Sequence, residues 1–495
     1  MSLLIKGGDI VDGSGNTPKK GDVLLIGDRI AAIGSLASYK ADKVIQASGY
    51  TVTPGFIDIA SGADRRLSLF SDHGQEESLS QGITTIIGGC DGVSLAPIIY
   101  GSLESFSPWA KKEGVNIDWR TTDELFNTLS NSRFGVNFAS FAGYKTIKAS
   151  VAGRKRGLSK TESSIMANLV SQAIEDGMIG VSFPTDEVTD DGMSNDEERS
   201  FISAISTSKG TVSIRLPIGN KKPSEDVIKA LRFAKAGIQT LLNGFSRTAV
   251  SEKEMKASLS AIEDIRTSAF IAMSICPLGV EEVLLKDILP KPIWTDDTGE
   301  LISAIMKKRG ETAISKVWPI EKLRRLWIAD SPKASFLAGK NLSDFADNRG
   351  LSPAACFSEL IKISGGDIVF YLEITREDVF EKAVINPRVA IESGAYGGMS
   401  AKSDIHTKMM GGFPSYFEIA DRRGLNIEHA IMKTTSLAAS ICGLKKRGTI
   451  ETGSYGDVMI MKDRKAEHVI VGGMIAMEDG RITGERGGKV LRRNA

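Results

Sequence analysis

Through the middle of the chain, short runs of apolar and β-branched residues alternate with longer stretches whose apolar positions recur at i, i+3 and i+4. That alternation predicts parallel strands joined by crossover helices. Eight runs qualify as strands: TVTPGFIDI (51–59), ITTIIGG (83–89), GVNFASFAG (135–143), MIGVSFP (178–184), TVSIRLP (211–217), IQTLLNG (238–244), FIAMSICP (270–277) and RVAIESG (388–394). Helices are expected between them, for example over SSIMANLVSQAIEDG (163–177) and EDVIKALRFAKAG (225–237), each with Gly at its end. The count and order predict a (β/α)8 barrel over 56–445.

The two ends of the chain follow a different rule. LLIKGGDIV, GDVLLIGDRIAAIG and KVIQASGYTVTPGFID at the start, and GDVMIM, HVIVGGMIAMEDGRIT and KVLRR at the finish, read as hairpin strands. Gly27-Asp28 and Asp479-Gly480 are the turns. Segments 1–55 and 446–495 are expected to pair into one small β-sandwich built from both termini. The gap at about 280–385 is too long for a loop and carries its own helical pattern, FSELIKIS (357–364), which predicts an insertion over one face of the barrel. GGMSAKSDIHTKMMGGFPSYF (397–417), rich in Gly and Met, reads as a flexible loop on that face.

At 495 residues the chain is long enough for one large barrel with additions. Lys+Arg 62 against Asp+Glu 61 gives a net charge of +1, so no general attraction to nucleic acid or anionic membrane is expected. GRKRG (153–157) and KKRG (445–448) are short and lack interleaved aromatics. No run reaches the length of a membrane span, and the N-terminus lacks a signal-peptide pattern, which together predict a cytoplasmic chain. Cys90, Cys276, Cys356 and Cys442 form no CxxC and read as reduced thiols.

The stretches LLIKGGDIVDGSG, TPGFIDI, GITTIIGGCDGVSLAP, FGVNFASFAG, DGMIGVSF and GGFPSYFEIADRRGLNIEHAIMKTTSLAASICGLKKRGTIETGSYGDVMIMKD closely resemble the N-acyl-D-amino-acid deacylases (D-aminoacylases) of the amidohydrolase superfamily. The resemblance implies a hydrolase acting on linear C–N bonds other than peptide bonds. It also implies a zinc ion that activates water and an aspartate that carries the proton. The chain departs from that pattern where the chemistry sits. Ala60-Ser61-Gly62 replaces the family's His-x-His, and Asn243, Tyr144 and Ser213 stand where other family motifs carry His. The four histidines are His73, His406, His429 and His468, so none lies between 74 and 405. The family's IGSDG reads Ile391-Glu392-Ser393-Gly394-Ala395, with Gly394 in place of the catalytic Asp.

Cys90 matches a metal-ligating Cys of the family and is followed by an inserted Asp91, but one thiolate does not hold zinc. Arg215 survives from the family's Thr-His-x-Arg. Lys408 stands where an Arg is expected on the substrate carboxylate, keeping the charge without the planar fork. Arg215, Lys408 and Tyr144 are the candidate ligand contacts, and Cys90 is a remnant metal ligand. The leading expectation is a catalytically silent homologue with no resident cofactor, which binds an N-acyl amino acid-like ligand or serves as a subunit beside an active paralogue. The alternatives are a divergent C–N hydrolase and a structural homo-oligomer. The hydrolase would have a site rebuilt from Asp58, Asp64, His73, Cys90, Asp91, Glu392 or His406. Polar groups converging at Cys90, Tyr144, Arg215 and Lys408 would favour binding, whereas filling by Phe183, Leu216 and Met409 would favour a scaffold.

Overall fold

The computed structural model describes residues 1–36, 38–99, 117–153, 157–188, 192–218, 222–248, 250–295, 297–373, 377–394 and 411–493. All eight expected strands form. They are Phe56–Asp58, Ile83–Gly88, a third in two pieces (Asn137–Ser140 and Ala142–Gly143), Gly180–Pro184, Thr211–Arg215, Thr240–Asn243, Ile271–Ile275 and Val389–Ile391. Neighbours pair in parallel and in chain order, in two ladders that meet at the broken third strand. Ser393 closes the ring from the other side. Just past the eighth strand, its backbone N–H (3.1 Å) and Oγ (2.6 Å) both donate to Asp58, at the end of the first. The fold is a (β/α)8 barrel, and its strands are buried throughout because helices cover the outside.

The helices begin and end where local chemistry says they should. The 163–177 pattern lies in a helix over Lys160–Glu175, opened by a capping box of Ser159 and Glu162. The 225–237 pattern is divided between Pro223–Ala230 and Arg232–Lys235. FSELIKIS lies in Pro353–Ser364, with Pro in the first turn and Gly365 taking the left-handed conformation (φ 66°) that stops the helix.

The chain between the seventh and eighth strands builds a body of its own. Val280–Leu284, Leu326–Asp330 and Val369–Glu373 form a three-stranded antiparallel sheet with the last of these in the centre. Its helices bury Leu301, Ile305, Ile314, Phe345, Phe357 and Leu360 in a core separate from the barrel's. Of the 397–417 stretch, the part from Gly412 is helix (Gly412–Arg422), and 397–410 lies outside the described residues.

Both termini share one nine-stranded sheet, joined where Thr51–Pro54 pairs antiparallel with Val458–Lys462. It folds over a core of Leu3, Ile5, Val23, Leu25, Val52, Val458, Ile460 and Ile470. At the Asp479-Gly480 turn both residues have positive φ (50° and 71°), as a two-residue hairpin requires. Among the described residues no helix is long and apolar enough to cross a membrane.

Candidate functional site at the strand ends

In a (β/α)8 barrel, chemistry is carried by loops at the C-terminal ends of the strands. Here that end is ionic. Arg215, the last residue of the fifth strand, is 7 % exposed and reaches three carboxylates. Its Nη2 lies 2.5 Å from Glu281, its Nη1 3.3 Å from Glu392, and its Nε 3.2 Å from Asp91. Arg247, in the loop after the sixth strand, donates to the same Glu281 (2.9 Å) and to the backbone carbonyl of Leu216 (2.6 Å). Arg65, after the first strand, donates to Asp91. Neutral donors complete the shell. Ser246 Oγ reaches Glu281 (2.5 Å), while Ser274 Oγ (2.6 Å) and the Gly244 backbone N–H (3.2 Å) reach Glu392.

The insertion contributes directly to this end of the barrel. Glu281 and Glu282 are consecutive in its first strand, and Glu282 lies 2.8 Å from Arg66, which follows the first barrel strand. Both glutamates are buried. Ion pairs from the insertion therefore fasten it over the strand ends.

Burial sets the ionisation of the carboxylates wherever cations do not overrule it. Burial pushes Asp58 up to about 6, against the pull of the Ser393 hydrogen bonds. It does the same to Asp64, also to about 6, although Arg65 and the Gly89 N–H (2.6 Å) oppose it. Burial raises Asp91 too, but Arg215, Arg65 and Arg247 together outweigh it and hold the carboxyl down at about 2. Burial likewise opposes ionisation of Glu281, and Arg215 and Arg247 reverse that, leaving it below the usual carboxylate range.

Of the candidate residues, Arg215, Glu392 and Asp91 come together, while Asp58 and Asp64 are buried at the first strand's end nearby. Cys90 sits against backbone instead. Its Sγ lies 3.8 to 4.0 Å from the backbone carbonyls of Ile59, Ile87 and Gly88, and burial pushes its thiol well above the ordinary value. Tyr144 is fully buried, with its ring 5.1 Å from Phe183 and 5.5 Å from Phe201. Its hydroxyl has no hydrogen-bond partner among the described residues, so the side chain is placed for packing. Phe183 and Leu216 are also fully buried. Gly394 follows the ring-closing Ser393 with φ 68°, and Lys408, His406 and Met409 lie outside the described residues. His73 packs 5.6 Å from Phe134, His429 is in a helix, and His468 is in the terminal sheet.

The donors placed here do not fit zinc. Three or more ligands are needed, and among the described residues no group of three His, Cys, Asp or Glu is arranged to hold an ion. Burial works against ionisation of the Cys90 thiol, and Asp91, Glu281 and Glu392 already face guanidinium groups. Asn243, at one of the positions where the family pattern has His, donates to Ser213 Oγ (2.7 Å), and its Oδ1 lies against the Ser274 hydroxyl.

The sequence reading overlooked Glu281, Glu282, Arg65, Arg66 and Arg247. A signal was present in VEEVL (280–284), two acids inside an apolar strand pattern, and in the Arg-Arg pair just after TPGFIDI. Buried acids of that kind demand cations.

The chain is 24% identical to D-aminoacylase from Alcaligenes xylosoxydans xylosoxydans, covering 100% of this chain and 98% of that protein. It is also 24% identical to the same organism's N-acyl-D-glutamate deacylase, over 100% and 97%. Among solved structures, a D-aminoacylase described as defining a novel subset of amidohydrolases superposes with a TM-score of 0.78, at 21% identity and with 99% of each chain covered. N-acyl-D-glutamate deacylase from Bordetella bronchiseptica, complexed with zinc and a phosphonate mimic of the tetrahedral intermediate, superposes with a TM-score of 0.77 at 20% identity, again with 99% of each covered. No family model matches the chain.

Proposed function

We propose that this chain, similar to D-aminoacylase and N-acyl-D-glutamate deacylase over all of its residues and with the D-aminoacylase fold, is a catalytically silent member of that lineage. One observation carries the reading. At the strand ends, Arg215 faces Asp91, Glu281 and Glu392, so that this guanidinium and these three carboxylates are engaged by one another. A guanidinium held by three carboxylates is not presented to a substrate carboxylate. The proposed role is that of a partner subunit, beside an active paralogue or a second copy of this chain. Binding of an N-acyl amino acid-like ligand would then depend on Lys408 and its neighbours.

The test is elemental analysis of purified protein together with an assay on N-acetyl-D-amino acids, including N-acetyl-D-glutamate. The expected result is well under one zinc per chain and hydrolysis at the background rate. Stoichiometric zinc that survives dialysis and is lost in Cys90→Ser contradicts the reading.

A second reading has its own support. Asp58 and Asp64 are buried carboxyls pushed up to about 6, the range in which a carboxyl can give and take protons near neutral pH. A divergent hydrolase using them would show a pH–rate profile that turns near that value, and Asp64→Asn would abolish it.

A further inference from the structure

We propose that the Arg215 guanidinium is the resident cation of the strand-end site, supplying the positive charge around which the barrel mouth is assembled. The inference deepens the silent-homologue reading and rests on it.

Three of its nitrogens each face a different carboxylate. Those carboxylates come from three separate places on the ring: Asp91 after the second strand, Glu281 in the insertion after the seventh, and Glu392 after the eighth. Arg215 itself ends the fifth. One cation thus ties four points of the barrel, the geometry in which a metal ion would organise its ligands. Two of the three carboxylates stand where the chain departs from the deacylase-like pattern. Asp91 is the residue inserted after Cys90, and Glu392 replaces Gly in the eighth-strand motif.

The charge arithmetic explains the pairing. Burying a carboxylate without a cation is strongly destabilising, and the side chains of Glu281 and Glu392 are 0 % and 1 % exposed. Within the contacts described, Arg65 serves Asp91 and Arg247 serves Glu281, whereas Glu392 meets a cation through Arg215. Removing Arg215 alone leaves an excess negative charge, and removing Glu392 with it restores the balance. A divalent cation, to which carboxylates are suitable ligands, would restore it as well.

The experiment is thermal unfolding of the full chain as wild type, Arg215→Met and Arg215→Met/Glu392→Gln, each with and without millimolar Mn²⁺. The expected result is a melting temperature lower by about 5 °C in Arg215→Met, a smaller loss in the double variant or in Mn²⁺, and no response of the wild type to Mn²⁺. If Arg215→Met does not fold, the double variant decides, because under the proposal it recovers a cooperative transition. The proposal is overturned if Arg215→Met melts with the wild type, or if its loss is diminished by neither the second substitution nor the metal. Metal bound stoichiometrically by the wild type instead sinks the silent-homologue reading, so the two failures are distinguishable.

Discussion

The barrel is held on one side by rings and at its mouth by charges. Around the third, fourth and fifth strands, Tyr144, Phe183, Phe201 and Phe233 pack against one another, with Phe183 at 5.1 to 6.0 Å from the other three. Where the first, second, fifth, sixth and eighth strands end and the insertion after the seventh begins, Arg65, Arg215 and Arg247 answer Asp91, Glu281 and Glu392. Apolar packing is non-directional and close to additive in area, so such a region tolerates exchange of one ring for another of similar volume. A buried ion cluster is conditional, since each member is an asset only while its partners remain. The two regions should therefore respond to different perturbations.

The largest effect is expected on the aromatic side. Phe183→Ala should cost about 4 kcal/mol, with little change between pH 4 and 7, in urea unfolding at both values. A cost that varied strongly with pH would mean that the two regions are not independent.

The next effect belongs to Asp58, whose folded value of about 6 lies above its ordinary 3.8. A carboxyl raised on folding contributes stability that is present below about 3.8 and is lost as pH rises through about 6. Asp58→Asn should therefore gain about 2 kcal/mol relative to wild type between pH 4 and pH 7. Asp91 has the opposite sign, because its depressed carboxyl loses its contribution as pH falls from 3.8 toward about 2. A gap between Asp58→Asn and wild type that stays constant over pH 4 to 7 would show that Asp58 is not desolvated as described.

Within the ion cluster, Glu281→Gln should cost about 2 kcal/mol. That is less than the loss of a buried partner usually costs, because Arg215 keeps Asp91 and Glu392 and Arg247 keeps the Leu216 carbonyl. Denaturant unfolding at pH 7 measures it, and a stabilised Glu281→Gln would show that the cluster carries excess negative charge.

The smallest effect sharpens the role of Tyr144. Its hydroxyl is buried without a partner among the described residues, so Tyr144→Phe should change stability by less than about 1 kcal/mol and in the stabilising direction. A variant destabilised by more than that would place a hydrogen bond on the hydroxyl and return the residue to the list of ligand contacts.

Much of this molecule was legible in one dimension. Strands and helices follow from periodicity and caps that act over a few residues. The eight barrel strands and the Asp479-Gly480 turn were therefore readable without the fold. The missing histidines were equally plain, because an absent residue type needs no coordinates. The ion cluster at the strand ends was not legible. Arg215 and Glu392 are 177 positions apart, and Arg215 and Glu281 are 66 apart, with no local pattern linking them. Glu281 in VEEVL and Arg65 after TPGFIDI are far apart in sequence, and the barrel and its insertion bring them into one buried volume. Charge balance in a region of low dielectric is a property of the neighbours a residue acquires in space, and only the tertiary structure decides who those neighbours are.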